Sequence, residues 1–382
     1  MRKSQKISIV HLSLAHAPFW QFGGLPRIME VYLQGLRNLG WNVQVIASNH
    51  YLDVLEPYHS DPERFYFQPS TWLKWLGRWN LNINPFYIWQ LIHKLSRNKE
   101  ILILHVSQSR SIFNLIAFFA SFLPNVKIIF SPFGSLPDRN RLFIKIFDYF
   151  ITRLFVRRVD LGFAQTAHEK NVIESFGCSN VKILPLSLES TSVKPVSNFT
   201  KQTPRKFLFL GRFHPTKGIP RLLAIFSKLK KIGYHFHLDL IGDDQGDKKR
   251  ILDEIERLNL RPFISVMPPV YGDERFLLYS KYDAFVFRPD VFEETSLASL
   301  EALSTGTPVF TTLKADIPHL SMMSAGYVSE TDKEYLDNLI SFLNIDHLEY
   351  IEMRYRARKT FETYFDSNQS VLILEKYLEQ LL

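Results

Sequence analysis

Apolar runs of strand length alternate with stretches of helical period through both halves of the 382-residue chain. That alternation restricts the chain to parallel α/β layers, because each strand must return by a crossover helix. In the first half, residues 7–14, 43–47, 101–105, 126–131, 161–164 and 181–184 read as strands. Between the first two, Ile28, Val31, Tyr32, Leu36 and Leu39 share one helical face, and Gly40 follows as a stop. The second half restarts with a strand at 206–210. Strands at 237–241, 264–267, 284–287 and 309–311 then alternate with helices from Pro220, over 247–258, 273–280 and 297–304. Pro220 suits a first helical turn, where a missing N–H costs nothing.

A chain of this length exceeds what one core usually supports. Residues 189–205 carry no periodic apolar face and are rich in Ser, Thr and Pro. The expected organisation is therefore an N-terminal Rossmann-like domain over 1–190, a linker over 191–204 and a second Rossmann-like domain over 205–365. A helix over 366–382 is expected to pack back on the first domain. The two domains would face each other across a cleft, with ligands beyond the carboxyl ends of the strands.

The composition narrows the function classes. At 46% hydrophobic and 22% charged, the chain can fill two cores. Its single cysteine, Cys178, allows no intrachain disulfide, fits a reducing compartment and lacks companions for a zinc site. The apolar run after Met1-Arg2-Lys3 is broken by His11 and His16 and reads as a buried strand rather than a signal peptide. The most apolar stretch, 112–123, is shorter than the roughly 20 residues that span a bilayer. A cytoplasmic protein, or one peripheral on the inner face of a membrane, is expected. The net charge of +8 suits anionic partners. No nucleic-acid-binding motif occurs, so nucleic acid is not expected among them.

Two segments carry chemistry. The first runs Phe292-Glu293-Glu294-Thr295-Ser296-Leu297-Ala298-Ser299-Leu300-Glu301 and continues to Gly306-Thr307-Pro308-Val309. Glu293 lies in a loop after a strand, and Glu301 lies about one turn into the next helix. The amides of Thr295, Ser296 and Leu297 sit at that helix's N-terminus, where an anion is favoured. An exposed loop followed by an amphipathic helix would carry the same pair of glutamates without any site. The second segment, Phe207 to Gly218, is a strand, the Gly211 turn and two cations, Arg212 and Lys217. Such a cation pair neutralises a diphosphate and stabilises a leaving group that gains charge.

Together the two segments resemble the GT4 family of retaining glycosyltransferases, of the two-Rossmann GT-B fold. The matching residues are Gly211-Arg212 with Lys217-Gly218, Glu293 with Glu301, Glu301-Ala302, and Gly306-Thr307-Pro308-Val309. The likeness is strongest over residues 205–325. In the first half, Gly23-Gly24-Leu25-Pro26-Arg27 is similar to the family's Gly-Gly loop. The resemblance implies that Arg212 and Lys217 hold the donor diphosphate, approached by the backbone at Gly211, Gly23 and Gly24. It implies that Glu301 accepts from the ribose diol and that Glu293 contacts the transferred sugar. Asp243, or the amides near Gly242, and Val270 would meet the nucleotide. Glu293, Arg212 and Lys217 are thus the expected catalytic residues. The family uses no metal and no cofactor beyond its nucleotide-sugar co-substrate, and no Asp-x-Asp metal clamp occurs in the chain.

Three departures accompany the likeness. Where the family often has Pro-His-Gly, this chain has Pro132-Phe133-Gly134. Phenylalanine cannot make the histidine's hydrogen bond to the donor sugar; His105 is a candidate substitute, or else a packed core histidine. Pro185-Leu186-Ser187-Leu188-Glu189 replaces Pro-Asn-Gly-Val-Asp, and Glu294 and Ser296 replace two loop glycines.

The implied acceptor is a glycan or a lipid-linked glycan, on the side of the N-terminal domain, in bacterial polysaccharide or lipopolysaccharide assembly. Trp72, Trp75 and Trp79 with Lys74 and Arg78, and the basic amphipathic stretch 138–158, could meet an anionic membrane surface. The second stretch reads equally as a core helix with a solvated basic face. Two other functions stay open: a nucleotide-sugar epimerase of the same fold, and a non-catalytic nucleotide-sugar or glycan binder, which Phe133 motivates.

Overall fold

A computed structural model describes residues 7–14, 16, 24–48, 64–67, 85–97, 101–136, 142–189, 204–315 and 317–382. Gly23, the three tryptophans at 72, 75 and 79, and nearly all of the Ser/Thr/Pro-rich segment lie outside them. The chain divides into two compact units, one of residues 1–186 with 367–382, the other of residues 187–366. The first division falls at Leu186, a few residues before the segment read as a linker.

The first unit begins with β1 (Ile7–Ser13), α1 (Leu25–Asn38), β2 (Asn42–Ser48), β3 (Arg64–Phe67), α2 (Pro85–Arg97), β4 (Ile101–Ser107), α3 (Ile112–Ala120) and β5 (Val126–Ser131). It continues with α4 (Leu142–Phe147), a π-helical turn (Asp148–Thr152), α5 (Arg153–Val156), β6 (Leu161–Ala164), α6 (Ala167–Phe176) and β7 (Val181–Ile183). Its parallel sheet has the order β3-β2-β1-β4-β5-β6-β7. Neighbouring strands are buried on both faces, so Val10, Leu12, Leu104, Ile128 and Phe130 form one core with Ile88, Phe113 and Phe155 from the helices. Local chemistry sets the helix ends. Pro26 opens α1, while Thr166 accepts from the amide of Glu169 to cap α6, which stops at Gly177 with φ +110°.

The second unit contains β8 (Arg205–Leu210), α7 (Ile219–Ile232), β9 (Phe236–Ile241), α8 (Lys248–Arg257), β10 (Ile264–Met267), α9 (Glu274–Ser280), β11 (Ala284–Val286), α10 (Leu297–Ser304), β12 (Val309–Thr312), β13 (Gly326–Ser329), α11 (Asp332–Asn344) and α12 (His347–Tyr364). Its parallel sheet has the order β10-β9-β8-β11-β12-β13. Phe207, Phe226, Phe310 and Phe342 pack edge to face across it. Below them Arg205 is buried, paired with Asp283 at 3.3 Å and lying over the rings of Phe342 and Tyr350.

The last helix, α13 (Ser367–Leu381), belongs to the first unit. Val371, Leu374 and Leu378 are its buried face. At Gly35 of α1 a Cβ would run into the side chain of Val371, so the missing side chain is what lets these two helices meet closely. Trp41 Nε1 donates to Glu375 Oε1 at 3.0 Å and ties the pair further.

The sequence patterns missed β3 and β13. The stretch 112–123, the most apolar in the chain, forms the helix α3 over Ile112–Ala120. Among the described residues, no helix is long and apolar enough to cross a membrane.

Candidate active site

In each sheet the strand order reverses at one place, between β1 and β4 in the first unit and between β8 and β11 in the second. Loops leaving two such strands diverge to opposite faces and leave a crevice at their carboxyl ends. In the second unit, most of the residues singled out from sequence lie on the loops that follow β8, β9, β10 and β11 or in the first turns of α10.

The loop after β8 begins at Gly211, whose amide donates to Ile241 O at 3.0 Å; Phe213 N donates to Asp243 O at 2.7 Å. This loop therefore runs beside the one that carries Gly242 and Asp243. The approach is so close that a Cβ on Gly242 would overlap the carbonyl oxygen of Gly211. The chain next makes a short 3-10 turn over Pro215–Lys217, where His214 Nδ1 accepts from Thr216 N, and leaves through Gly218 at φ +67°. A Cβ on Gly218 would overlap Arg288 O, and Asp290 N donates to Thr216 O at 2.9 Å. The backbone around Lys217 is thereby knitted to the segment leaving β11.

Lys217 and Glu293 meet. Lys217 Nζ lies 2.8 Å from Glu293 Oε2 and 5.3 Å from the centroid of the Phe287 ring. Glu293 is held from behind, since its amide donates to Lys314 O at 2.6 Å. Arg212 is exposed and donates to Gln245 Oε1 at 3.2 Å. Asp243 is exposed at the end of β9, and Val270 is half-buried after β10.

The amides of Thr295, Ser296 and Leu297 enter α10. Ser296 is its cap, with its hydroxyl accepting from Ser299 N. Thr295 is buried, and its Oγ1 has no hydrogen-bond partner among the described residues. Glu301, one turn into the helix, is also buried. Arg275 Nε donates to its Oε1 at 2.8 Å, and Tyr279 OH donates to its Oε2 at 3.1 Å. Burial, with the charge of Glu301 beside it, pushes the Tyr279 hydroxyl far above its ordinary pKa, so it remains a donor.

Sequence reasoning missed Arg275 and Tyr279. The available signal was their i, i+4 spacing on α9, which puts both on one helix face.

In the first unit, Gly24 precedes α1 and its carbonyl accepts from Arg27 N and Ile28 N, both at 3.1 Å. His105 is buried, and its Nε2 lies 2.8 Å from Ser131 Oγ, as expected of a packed, hydrogen-bonded core histidine. Burial lowers its pKa to about 4, so the ring is neutral near pH 7. His11 lies beside it in register on β1, with ring centroids 5.0 Å apart. Both nitrogens of His11 are buried without a hydrogen-bond partner among the described residues. Its pKa is driven well down by burial and by the neighbouring His105 and His16. Phe133 adopts φ +50° and lines a small pocket with His105, Ser131 and Gln165. Its turn is anchored by Glu169, which accepts from Gly134 N at 2.6 Å and from Gln165 N at 2.8 Å.

Residues 191–360 match the family model "Glycosyl transferases group 1". A curated relative, "Putative colanic acid biosynthesis glycosyltransferase WcaL" of Escherichia coli (strain K12), is 25% identical over 213 residues. That alignment covers 52% of this chain and 51% of the relative, so the match spans about half the relative's length. A glycosyltransferase from Rickettsia africae superposes with a TM-score of 0.74 over 98% of both chains, at 16% identity. Anabaena HepE, solved in complex with UDP, gives 0.72 over 98% of this chain and 100% of that one, at 13% identity. The fold is therefore the two-sheet α/β architecture of GT-B glycosyltransferases.

Proposed function

We propose that the chain is a retaining, metal-independent glycosyltransferase of the GT4 type. It would move a sugar from a nucleotide-diphosphate donor to a glycan or lipid-linked acceptor in polysaccharide or lipopolysaccharide assembly. The observation that carries this reading is the Lys217–Glu293 pair, set beside the start of α10 at the switch point of the second sheet. The family match over 191–360 supports the transferase, and the colanic acid relative supports the polysaccharide setting.

In this reading Arg212 and Lys217 take the diphosphate, and the amides entering α10 add a positive field. The buried hydroxyl of Thr295 would gain a partner from a donor oxygen. Glu301, held by Arg275 and Tyr279, offers two fixed acceptor oxygens to the ribose diol. As the bond from the anomeric carbon to the diphosphate oxygen breaks, the two cations stabilise the charge that develops there. The acceptor hydroxyl attacks from the same face, and its proton passes to the departing phosphate oxygen. The products are the elongated acceptor and a nucleoside diphosphate. The absence of an Asp-x-Asp pair from the sequence supports a mechanism in which these cations do a metal's work.

The test is turnover of UDP-, GDP-, ADP- and dTDP-sugars, with chelator present, by the wild type and by Glu293→Ala, alongside calorimetric binding of each donor. One donor is expected to be consumed, with a loss of roughly 10²- to 10³-fold in the variant. Binding without turnover, even with cell-derived acceptors, would favour the non-catalytic reading that Phe133 motivates. No binding of any donor would overturn the assignment of the diphosphate site.

A further inference from the structure

The stretch 142–158 of the first unit, helical as far as Val156, turns one apolar side to solvent while Phe155 and Val156 pack into the core. Leu142, Ile146, Tyr149, Phe150 and Leu154 are each between 49% and 74% exposed. Their spacing of roughly one and two turns puts them on a single stripe. The π-helical turn Asp148–Thr152 lies midway. Its wider winding lets the adjacent residues Tyr149 and Phe150 both face outward, with ring centroids 5.0 Å apart. The stripe continues onto α3. Arg158 follows Leu154 by one turn, its guanidinium lies 4.6 Å from the centroid of the Phe122 ring, and it donates to Ser121 O. Phe119 and Phe122 are themselves more than half exposed.

This surface is held in place from beneath. Asp148 is buried and receives a two-pronged contact from Arg110, with Nε to Oδ1 at 2.9 Å and Nη2 to Oδ2 at 2.6 Å; Thr152 Oγ1 donates to the same carboxylate at 2.7 Å. The outward aromatic pair therefore follows from a fixed backbone. The charge pattern is one-sided. Lys145, Arg153, Arg157 and Arg158 are the cations of the stretch, and Asp148, its only acid, is turned inward and neutralised. An exposed apolar stripe of this size needs an occupant.

We propose that α4, the π turn, α5 and the end of α3 form a docking face for an anionic lipid surface. Tyr149, Phe150 and their aliphatic neighbours would enter the interfacial region, while Lys145, Arg157 and Arg158 meet lipid phosphates. Apolar burial and cationic attraction act together in such a contact, and neither suffices alone for stable attachment. A second protein copy would meet this face with the same positive charge, which favours the lipid. The inference stands apart from the transferase reading, because attachment requires no donor.

The experiment is flotation of the full chain with vesicles of phosphatidylcholine alone and of phosphatidylcholine with phosphatidylglycerol, at low and high salt. Sedimentation analysis without lipid accompanies it. The wild type is expected to float with the anionic vesicles, and less so at high salt. Tyr149→Ser/Phe150→Ser should lower the bound fraction about tenfold while leaving its melting temperature and donor binding unchanged. Arg157→Glu is a second variant, expected to weaken flotation without altering the apolar stripe. Wild type that stays at the bottom of the gradient would overturn the proposal. So would serine variants that float equally well, which would place attachment elsewhere. A lipid-free dimer dissolved by the serine pair would overturn it too, by making the occupant a second copy.

Discussion

Glu301 shows how a single acidic residue is made into a rigid acceptor. Left alone, a buried carboxylate would shed its charge or demand water. Here a guanidinium and a phenol each take one oxygen, so both oxygens are oriented before any ligand arrives. In the proposed reading Arg275 would act on the donor only through Glu301, as a positioning residue. Replacing it by Met should raise the donor KM about tenfold, the cost of one hydrogen bond to a charged group, with kcat little changed. Steady-state kinetics read the split; a fall in kcat at constant KM would place Arg275 at the reacting atoms. Legibility at this scale was uneven. Glu293, Lys217 and Glu301 stood out because their spacing forms a motif, and two of them lie in contact. Arg275 and Tyr279 sit in an ordinary amphipathic helix, and nothing in their neighbourhood distinguishes them until α9 is packed against α10. His11 and His105 are 94 positions apart in sequence, and only their register on β1 and β4 makes them neighbours.

At the scale of elements, the loops after β8 and β9 work as one unit. Their backbones are hydrogen-bonded from Gly211 to Ile241 and from Phe213 to Asp243. That proximity rests on Gly242, where any side chain would collide with a carbonyl. Gly242→Ala is expected to cost roughly 2 kcal/mol, and to shift Gly211 and Arg212 away from their positions. Thermal unfolding with donor calorimetry measures both effects, and a variant with wild-type melting and affinity would show that the loops separate freely. Strands with long apolar runs were readable in sequence, because burial on both faces leaves few polar positions. β3 and β13 were not. Arg64-Phe65-Tyr66-Phe67 and Gly326-Tyr327-Val328-Ser329 are edge strands of four residues.

For the whole molecule, the alternation of strands and helices was enough to give two parallel sheets. The place where the chain passes from one unit to the other was harder to see. The Ser/Thr/Pro-rich segment marks a change in composition, whereas the division follows contacts and falls at Leu186. Helix α13 completes the first unit by covering α1. Each of its buried aliphatic side chains is worth about 2 kcal/mol, a large share of what a single domain can spare. A chain lacking residues 367–382 should therefore melt earlier in its first transition and be cut sooner by protease within the first unit. An unchanged first transition would show that α13 merely rests there.

That helix also fixes an order of events during synthesis. Domains generally fold as they leave the ribosome, first-made first. Here all of residues 187–366 are made before α13 exists, so the second unit can close while the face of α1 around Gly35 still lacks its cover. The unit begun first is the one finished last, and until then the face of α1 that Val371 covers stays open.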